Sequence, residues 1–161
     1  MNSAVRNWWG NNQKIMLDSG ISGIWNDMNE PASFNGPLPD DVMFNDDGTP
    51  MMHKEAHNIY GHMMAKATYE GLKKATGKRP FVVTRACYSG TQKYSTVWTG
   101  DNQSTWEHLR MSLPMLMNLG LSGLAYCGTD VGGFGFDCTG ELLSRWVQVG
   151  AFTPFFRNHT S

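Results

Sequence analysis

The sequence has little charge, little cysteine and no long apolar run. Only 17% of its 161 residues are charged, and 13 basic against 14 acidic residues leave a net charge of −1. This balance offers no basic surface for nucleic acid or for an anionic membrane. No apolar stretch approaches the roughly 18 residues that a membrane helix needs. We therefore expect a globular domain with neither nucleic acid nor a membrane as its partner.

The cysteine content predicts a reducing environment. Cys87, Cys127 and Cys138 are an odd number without C-x-x-C spacing, which argues against both a disulfide framework and a zinc site. The first residues lack the apolar segment of a signal peptide. Together these features predict a cytoplasmic location.

Short apolar runs alternate with helical patterns along the chain, and each run ends in polar and glycine residues. We predict strands near residues 21–26, 80–85, 96–100, 121–128 and 152–157. Helical patterns lie near residues 5–16, 53–75, 106–116 and 139–149. This alternation is typical of an α/β fold. Since a whole (β/α)₈ barrel takes about 250 residues, the chain would hold roughly five of its eight units.

Two connections stand out. Between residues 85 and 96 the chain is too short for an ordinary parallel crossover, so a helix there would have about one turn; an open doubly wound sheet and a hairpin are the alternatives. Residues 31–52 form a long insertion after the first strand, and loops of that length are commonly functional. Its acids favour a solvated loop over a calcium site, because the bidentate glutamate of an EF-hand is missing; they are Asp40, Asp41, Asp46 and Asp47.

Three of the predicted strands end in an acidic residue with an aromatic residue close by. The pairs are Asp27 with Trp25, Asp101 with Trp98, and Asp130 with Phe134. In α/β folds the carboxyl ends of the strands carry the site. Aromatic faces pack on the C–H bonds of a sugar while carboxylates bond its hydroxyls. The pattern therefore favours a carbohydrate site, although a single acid after a strand is about as often a helix N-cap.

At these strand ends the sequence resembles a known family. Residues 24–31, Ile-Trp-Asn-Asp-Met-Asn-Glu-Pro, resemble the nucleophile signature of glycoside hydrolase family 31, the α-glucosidases and their relatives. The segment Trp98-x-Gly100-Asp101-Asn102 resembles the acid/base segment of that family, and residues 156–159, Phe-Arg-Asn-His, resemble its last-strand motif. The three segments occur in the family's order and extend over essentially the whole chain.

The resemblance implies a fold. It is a partial (β/α)₈ TIM barrel, roughly strands 4 to 8 with the intervening helices, in which residues 1–161 form part of a single catalytic barrel. The early strands of the barrel, and an acid on them that the family uses to hold the sugar, have no counterpart here.

The resemblance also implies roles for individual residues. Asp27 is similar to the catalytic nucleophile and Asp101 to the general acid/base. The remaining matched positions would bind the sugar; they are Trp25, Met28, Arg85, Trp98, Asp130, Phe134 and His159. From the residues alone, a structural ion pair at Arg85 and a core imidazole at His159 are the less favoured alternatives. We expect the tryptophans at helical spacing, Trp8, Trp9, Trp106 and Trp146, to be core residues.

The function implied is that of a retaining α-glucosidase, which cleaves terminal α-linked glucose from oligosaccharides with two carboxylates and with no metal or cofactor. An α-xylosidase or an α-transglucosylase of the same family is the first alternative, and a non-catalytic carbohydrate-binding fragment is the second. A nucleotide-binding α/β protein would need a glycine-rich phosphate loop, which the segment Gly132-Gly133-Phe134-Gly135 does not supply. The sequence leaves the linkage, the substrate length and the oligomeric state open.

Overall fold

The chain folds into two compact units that divide between Ser95 and Thr96 in the computed structural model, which describes residues 1–159. The first unit contains α1 (Ser3–Asn12), α2 (Lys14–Asp18), β1 (Gly23–Asn26), β2 (Met43–Asp46), β3 (Thr49–Met52), α3 (His53–Thr76), β4 (Phe81–Thr84) and a 3₁₀ turn (Thr91–Lys93). The second contains β5 (Thr96–Trp98), α4 (Trp106–Leu121), β6 (Cys127–Gly128), β7 (Asp130–Val131), α5 (Gly140–Gly150) and β8 (Arg157–Asn158).

In the first unit, β1 and β4 lie side by side in parallel. Their register runs from Gly23 opposite Phe81 to Asn26 opposite Thr84. Parallel strands bring their carboxyl ends to the same edge of a sheet. The residues that follow the two strands, at positions 27 and 85, therefore leave the sheet together.

Helix α3 packs on α1 at an unusually close crossing. A methyl group built on Gly71 of α3 would lie 2.4 Å from the Cα atom of Gly10 on α1, so both positions require glycine for close approach. Beside the crossing, Trp9 Nε1 donates to Thr68 Oγ1 at 2.8 Å. Helix α3 thus packs on α1 and also contacts β1 and β4.

The insertion at residues 31–52 is partly ordered as a hairpin. Strands β2 and β3 pair antiparallel through a two-residue turn, Asp47-Gly48, whose φ angles are 51° and 99°. Asp-Gly with both φ angles positive is the signature of a type I′ turn, and this dipeptide was a signal that the sequence already carried. Asp47 accepts a hydrogen bond from the Ser3 backbone N–H, and this bond lowers its pKa. The expectation of a loop is therefore wrong for residues 43–52, which form the hairpin, whereas Asp40, Asp41 and Asp47 are exposed to solvent as expected.

The second unit also pairs its strands in parallel, β5 with β6 and β7 with β8. Its core consists of Leu109, Val131, Leu142 and Trp146. Threonine caps begin both helices: the side chain of Thr105 accepts from His108 N at 3.2 Å, and that of Thr139 accepts from Leu142 N at 3.3 Å. Such caps satisfy N–H groups that the first helical turn leaves open.

Three predicted elements have the wrong bounds. The helix expected over residues 5–16 divides at Gln13 into α1 and α2. The strand expected over 121–128 is limited to β6, because α4 extends to Leu121 and ends in a turn. The strand expected over 152–157 is limited to β8, since i→i+3 hydrogen bonds from Phe152 and Thr153 prolong the end of α5. The one-turn helix expected between residues 85 and 96 is confirmed as the 3₁₀ turn.

The expectation that four tryptophans are core residues is right in part. Trp146 is fully buried, but Trp8 is 61% exposed and Trp106 is 49% exposed. Each of these two lines an open cavity of its own unit, so its helix face has no cover from within that unit. Within the described residues, no helix combines the length and apolar character that crossing a membrane would require.

Candidate active site

The loop after β1 presents Asp27 at the edge of the first unit. Asn26, which ends the strand, is 3% exposed and its Nδ2 donates to Thr68 Oγ1 at 3.1 Å. The next residue turns outward, and the Asp27 side chain is 44% exposed. Met28 has a φ of 58°, in the left-handed region that non-glycine residues seldom adopt. In this turn the Met28 N–H donates to Asp27 Oδ1 at 2.8 Å, which fixes the carboxylate.

Arg85 follows β4 and links two carboxylates of the β1 loop. Its Nη1 lies 3.1 Å from Asp27 Oδ1, and its Nε lies 2.7 Å from Glu30 Oε1. The Arg85 side chain is 23% exposed, so the guanidinium sits partly withdrawn from water beside a more open carboxylate. A fixed cation at this position holds the Asp27 carboxylate in one orientation.

Two apolar side chains flank this carboxylate. Trp25 and Met28 are 39% and 40% exposed, although both are large hydrophobic residues. An accessible carboxylate whose loop also carries an exposed indole and an exposed thioether suits a ligand that has both hydroxyls and C–H faces. The structure thus places Arg85 in contact with Asp27, and Trp25 and Met28 close to Asp27 along the chain.

In the second unit, β5 ends in a buried indole followed by a tight turn. Trp98 is 4% exposed, so it lies beneath the surface and does not form an open platform. Gly100 has a φ of 84°, and its carbonyl oxygen accepts from Asn102 N at 2.9 Å. This turn carries the exposed Asp101 between its two ends.

Asp130 is almost fully buried and ion-paired. It is 1% exposed, and its Oδ1 bonds Nη2 of Arg157 on the neighbouring strand β8. Burial raises the pKa of Asp130, while the Arg157 guanidinium opposes that rise. Its Oδ2 is buried and has no hydrogen-bond partner among the residues that the structure describes. One carboxylate oxygen of Asp130 is therefore anchored by Arg157, and the other is buried.

Phe134 and His159 form a stacked pair at the same end of the unit. Their ring centroids are 5.0 Å apart and the rings are inclined by 24°. Phe134 is 38% exposed. His159 also lines an open cavity of about 760 Å³ with Val131, Asp137 and Leu143. The pair offers one aromatic surface and ring nitrogens, both of which suit a sugar.

The comparison with known families identifies the chain. Residues 1–161 match the sequence model described as the glycosyl hydrolases family 31 TIM-barrel domain. This chain belongs to glycoside hydrolase family 31. The α/β prediction is confirmed, and with it the partial barrel, because each unit has parallel strands flanked by helices and the match is to the barrel domain of the family.

Curated relatives resemble this family 31 chain along almost all of its length. Alpha-glucosidase 2 of Bacillus thermoamyloliquefaciens is 62% identical over 161 residues, which are 98% of this chain and 20% of the relative. Neutral alpha-glucosidase AB of Homo sapiens is 45% identical over 163 residues, 98% of this chain and 17% of the relative. The chain thus spans about a fifth of the length of these relatives.

Solved structures give the same picture. A glucosidase II alpha subunit in its alpha3-Glc2-bound form superimposes with a TM-score of 0.90 at 40% identity, covering 99% of this chain and 18% of that one. The GH31 dextranase of Flavobacterium johnsoniae, complexed with glucose, superimposes with a TM-score of 0.86 at 33% identity, covering 98% and 21%.

Sequence reasoning missed several residues of the site. It quoted Glu30 and Arg157 only as letters of a motif, yet Glu30 is the second carboxylate on Arg85 and Arg157 is the partner of Asp130. Each carries a charge within three residues of a matched position, Glu30 near Asp27 and Arg157 near His159, and that charge was a signal. The roles of Asp27 as nucleophile, Asp101 as acid/base and the other matched residues as sugar ligands stay predictions.

The structure shows no preformed metal centre in the part of the chain that it describes. No three histidine, cysteine, aspartate or glutamate side chains within residues 1–159 are grouped so that they could hold a metal ion.

Proposed function

We propose that this chain is the part of a retaining α-glucosidase that carries its two catalytic carboxylates, Asp27 and Asp101. The enzyme would remove terminal α-linked glucose from oligosaccharides. The observation that carries the proposal is Asp27: the carboxylate is 44% exposed, yet it is fixed by the Met28 N–H and by Arg85. A nucleophile needs this combination of access and fixed orientation.

In the proposed reaction, an Asp27 oxygen attacks the anomeric carbon and the bond to the leaving oxygen breaks. Asp101 donates its proton to that oxygen and the shorter sugar departs. Asp101 then takes a proton from a water molecule, whose oxygen displaces Asp27 from the anomeric carbon. Glucose leaves with the α configuration and both carboxyls return to their starting states. The carboxylates supply nucleophile and proton, so the reaction uses neither metal nor cofactor.

The substrate class follows from the residues around the carboxylates and from the relatives. Relatives that are 62% and 45% identical to this chain are named alpha-glucosidases, and a GH31 dextranase of similar structure is complexed with glucose. Trp25, Met28 and the Phe134–His159 pair offer apolar surface for a pyranose ring, while Arg85 and Asp130 offer charged groups for its hydroxyls. We expect these residues to bind the terminal glucose.

The test uses the chain in the setting of a whole enzyme. We would graft residues 1–161 into alpha-glucosidase 2 of Bacillus thermoamyloliquefaciens in place of the segment that matches them. Maltose should be hydrolysed, and proton NMR should detect α-glucose before mutarotation. Asp27→Asn should remove hydrolysis, and Asn12→Asp, an exposed helix position, should leave it unchanged.

A mechanism-based 5-fluoroglucosyl fluoride tests the covalent step separately. It should attach to the peptide that contains Asp27, which mass spectrometry identifies. First-formed β-glucose would mean an inverting enzyme and would refute the role of Asp27. A graft that prefers xylosides, or that transfers glucose to a second sugar rather than to water, would favour the first alternative. A folded graft that binds glucosides without turnover would favour a carbohydrate-binding role.

The location and the partners are also proposals. All three cysteines are free thiols, which supports a reducing, cytoplasmic location. An α-glucoside oligosaccharide is the partner that the site suits, and the net charge of −1 offers nucleic acid little attraction.

A further inference from the structure

Two asparagines close to the proposed catalytic acids are withdrawn from solvent. Asn29, in the loop of Asp27, is 0% exposed, and Asn102, directly after Asp101, is 7% exposed. A buried amide is costly unless its N–H and carbonyl groups find partners. The partners of these two amides therefore show what the side chains do.

The Asn29 side chain forms hydrogen bonds with both sequence neighbours of Arg85, Thr84 and Ala86. Its Nδ2 donates to Thr84 Oγ1 at 2.9 Å, and its Oδ1 accepts from Ala86 N at 2.9 Å. Thr84 Oγ1 in turn donates to the Ala86 carbonyl oxygen at 3.0 Å, which closes a ring of three hydrogen bonds. The two residues that bracket Arg85 are thus tied to the loop that carries Asp27.

Helix α3 leaves this ring no room to shift. A methyl group built on Gly61 would lie 2.5 Å from the Ala86 Cβ atom and 2.8 Å from the Asn29 carbonyl oxygen. Close packing of this kind transmits any displacement of Asn29 directly to the residues around it. The guanidinium of Arg85, which contacts Asp27 and Glu30, therefore depends on the Asn29 amide for its position.

Asn102 repeats this arrangement in the second unit. Its Nδ2 donates to the Asp130 carbonyl oxygen at 3.0 Å, and its Oδ1 accepts from Asp130 N at 3.2 Å and from Thr129 Oγ1 at 3.1 Å. Its own carbonyl oxygen accepts from Phe134 N at 2.6 Å. The residue after Asp101 therefore holds the backbone on both sides of Asp130 and the start of the Phe134 turn.

We propose that Asn29 and Asn102 are positioning residues, each of which locks the loop of one catalytic carboxylate to the loop of a neighbouring substrate-binding residue. Neither amide touches the sugar. Asn29 acts through Arg85 on Asp27, and Asn102 acts by fixing the turn that carries Asp101. The inference rests on the proposed function, because it concerns the alignment of that function's two acids.

Kinetics of the grafted enzyme test the proposal. Misplacing a reacting group by about 1 Å costs roughly 100-fold in rate, so Asn29→Ala and Asn102→Ala should lower kcat per folded molecule by about 10-fold to 100-fold. The control is Leu72→Ala, a buried position of α3 outside the site. It should lower the melting temperature while kcat per folded molecule stays within about twofold.

The choice of leaving group separates positioning from general destabilisation. Maltose needs the proton of Asp101 more than 4-nitrophenyl α-glucoside does, because nitrophenolate leaves without one. Asn102→Ala should therefore slow maltose hydrolysis at least about 10-fold more than nitrophenyl hydrolysis. Asn29→Ala should slow both alike, since both need Asp27. If the ratio of the maltose rate to the nitrophenyl glucoside rate is the same in Asn102→Ala as in Leu72→Ala, the proposal for Asn102 is overturned. An unchanged kcat in Asn29→Ala would overturn the proposal for Asn29.

A second measurement does not depend on hydrolysis. In the 161-residue chain, amide hydrogen exchange at Ala86 N and Asp130 N should accelerate at least about 10-fold in Asn29→Ala and Asn102→Ala respectively, because each N–H loses its acceptor. Unchanged exchange rates would refute the positioning role of the two asparagines even if the graft hydrolyses maltose. If the graft folds but hydrolyses nothing, while exchange is accelerated in the two alanine variants, the proposed function is refuted and the positioning role of the asparagines stands. Should an alanine variant fail to fold, Asn29→Asp or Asn102→Asp retains the acceptor, removes the donor and adds a negative charge, and kcat per folded molecule should still fall by at least about 10-fold.

Discussion

The crossing of α1 and α3 leads to a prediction about stability. In Gly71→Ala the new methyl group would lie 2.4 Å from both the Cα and O atoms of Gly10 and 2.6 Å from its carbonyl carbon. All three atoms are backbone, so no side-chain rotation relieves the overlap and the helices must separate. Overpacking of this kind costs about 1–3 kcal/mol, and the three backbone contacts point to the upper end. The higher helix propensity of alanine returns about 1 kcal/mol. The free energy of unfolding should therefore fall by about 2 kcal/mol.

Urea unfolding of the whole chain, followed by far-UV circular dichroism, measures this difference. The matched control is Gly120→Ala on α4, where a methyl group would meet nothing within 4 Å. There only the propensity acts, so the free energy of unfolding should rise by about 0.5 kcal/mol. The two substitutions are chemically identical and should have opposite signs. If Gly71→Ala unfolds at the same urea concentration as the parent chain, or at a higher one, the close crossing is not as the structure describes it.

Three further predictions concern the site and the two units. In the grafted enzyme, Arg85→Ala should lower kcat by about 100-fold, because Asp27 and Glu30 lose their shared cation, and Arg85→Lys should recover part of the loss; equal rates in the two variants would contradict this. Thr139→Ala should lower the free energy of unfolding by about 1 kcal/mol by removing the α5 cap, whereas Thr139→Ser should change it little in the same denaturation assay. Burial, helped by two nearby lysines, lowers the pKa of His62 below its ordinary 6.5. The stability that neutral His62 contributes is therefore present above pH 6.5 and is lost as the pH falls through the lowered value, so His62→Gln should flatten the decline in stability between about pH 6.5 and 5.

The sequence predicts the α/β class and the matched acids because those features are local. A strand that ends in Asn26 and an acid that follows it are visible in a few adjacent residues. The extent of strands is not local. Strand β6 is only Cys127–Gly128, because its length is set by pairing with the short β5 and by how far α4 continues. Apolar periodicity could not foresee either limit.

Exposure is the second property that the sequence predicts poorly. Trp8 and Trp146 both show helical spacing among apolar neighbours, yet one is 61% exposed and the other is fully buried. Periodicity identifies the apolar face of a helix, but the cover for that face comes from elements distant in sequence. Trp146 has Leu109, Val131 and Leu142 around it, whereas Trp8 borders an open cavity.

The buried asparagines show the same limit in the chemistry of the site. Asn29 contacts Thr84, 55 residues away, and Asn102 contacts Asp130, 28 residues away. Neither set of hydrogen bonds can therefore be read from adjacent residues of the sequence. At these two positions the side chain must donate one hydrogen bond and accept another on the two flanks of a neighbouring residue, and only an amide does both. A carboxylate would place a further negative charge beside a catalytic acid and could not donate, while the shorter hydroxyl of serine could not reach both flanks of the neighbouring residue. A catalytic carboxylate at a strand end must stay accessible to the substrate, so its own contacts cannot hold its loop in place. A neutral, buried neighbour holds the loop instead. An asparagine within one or two residues of a strand-end acid is thus a feature to test for burial whenever such an acid is assigned a catalytic role.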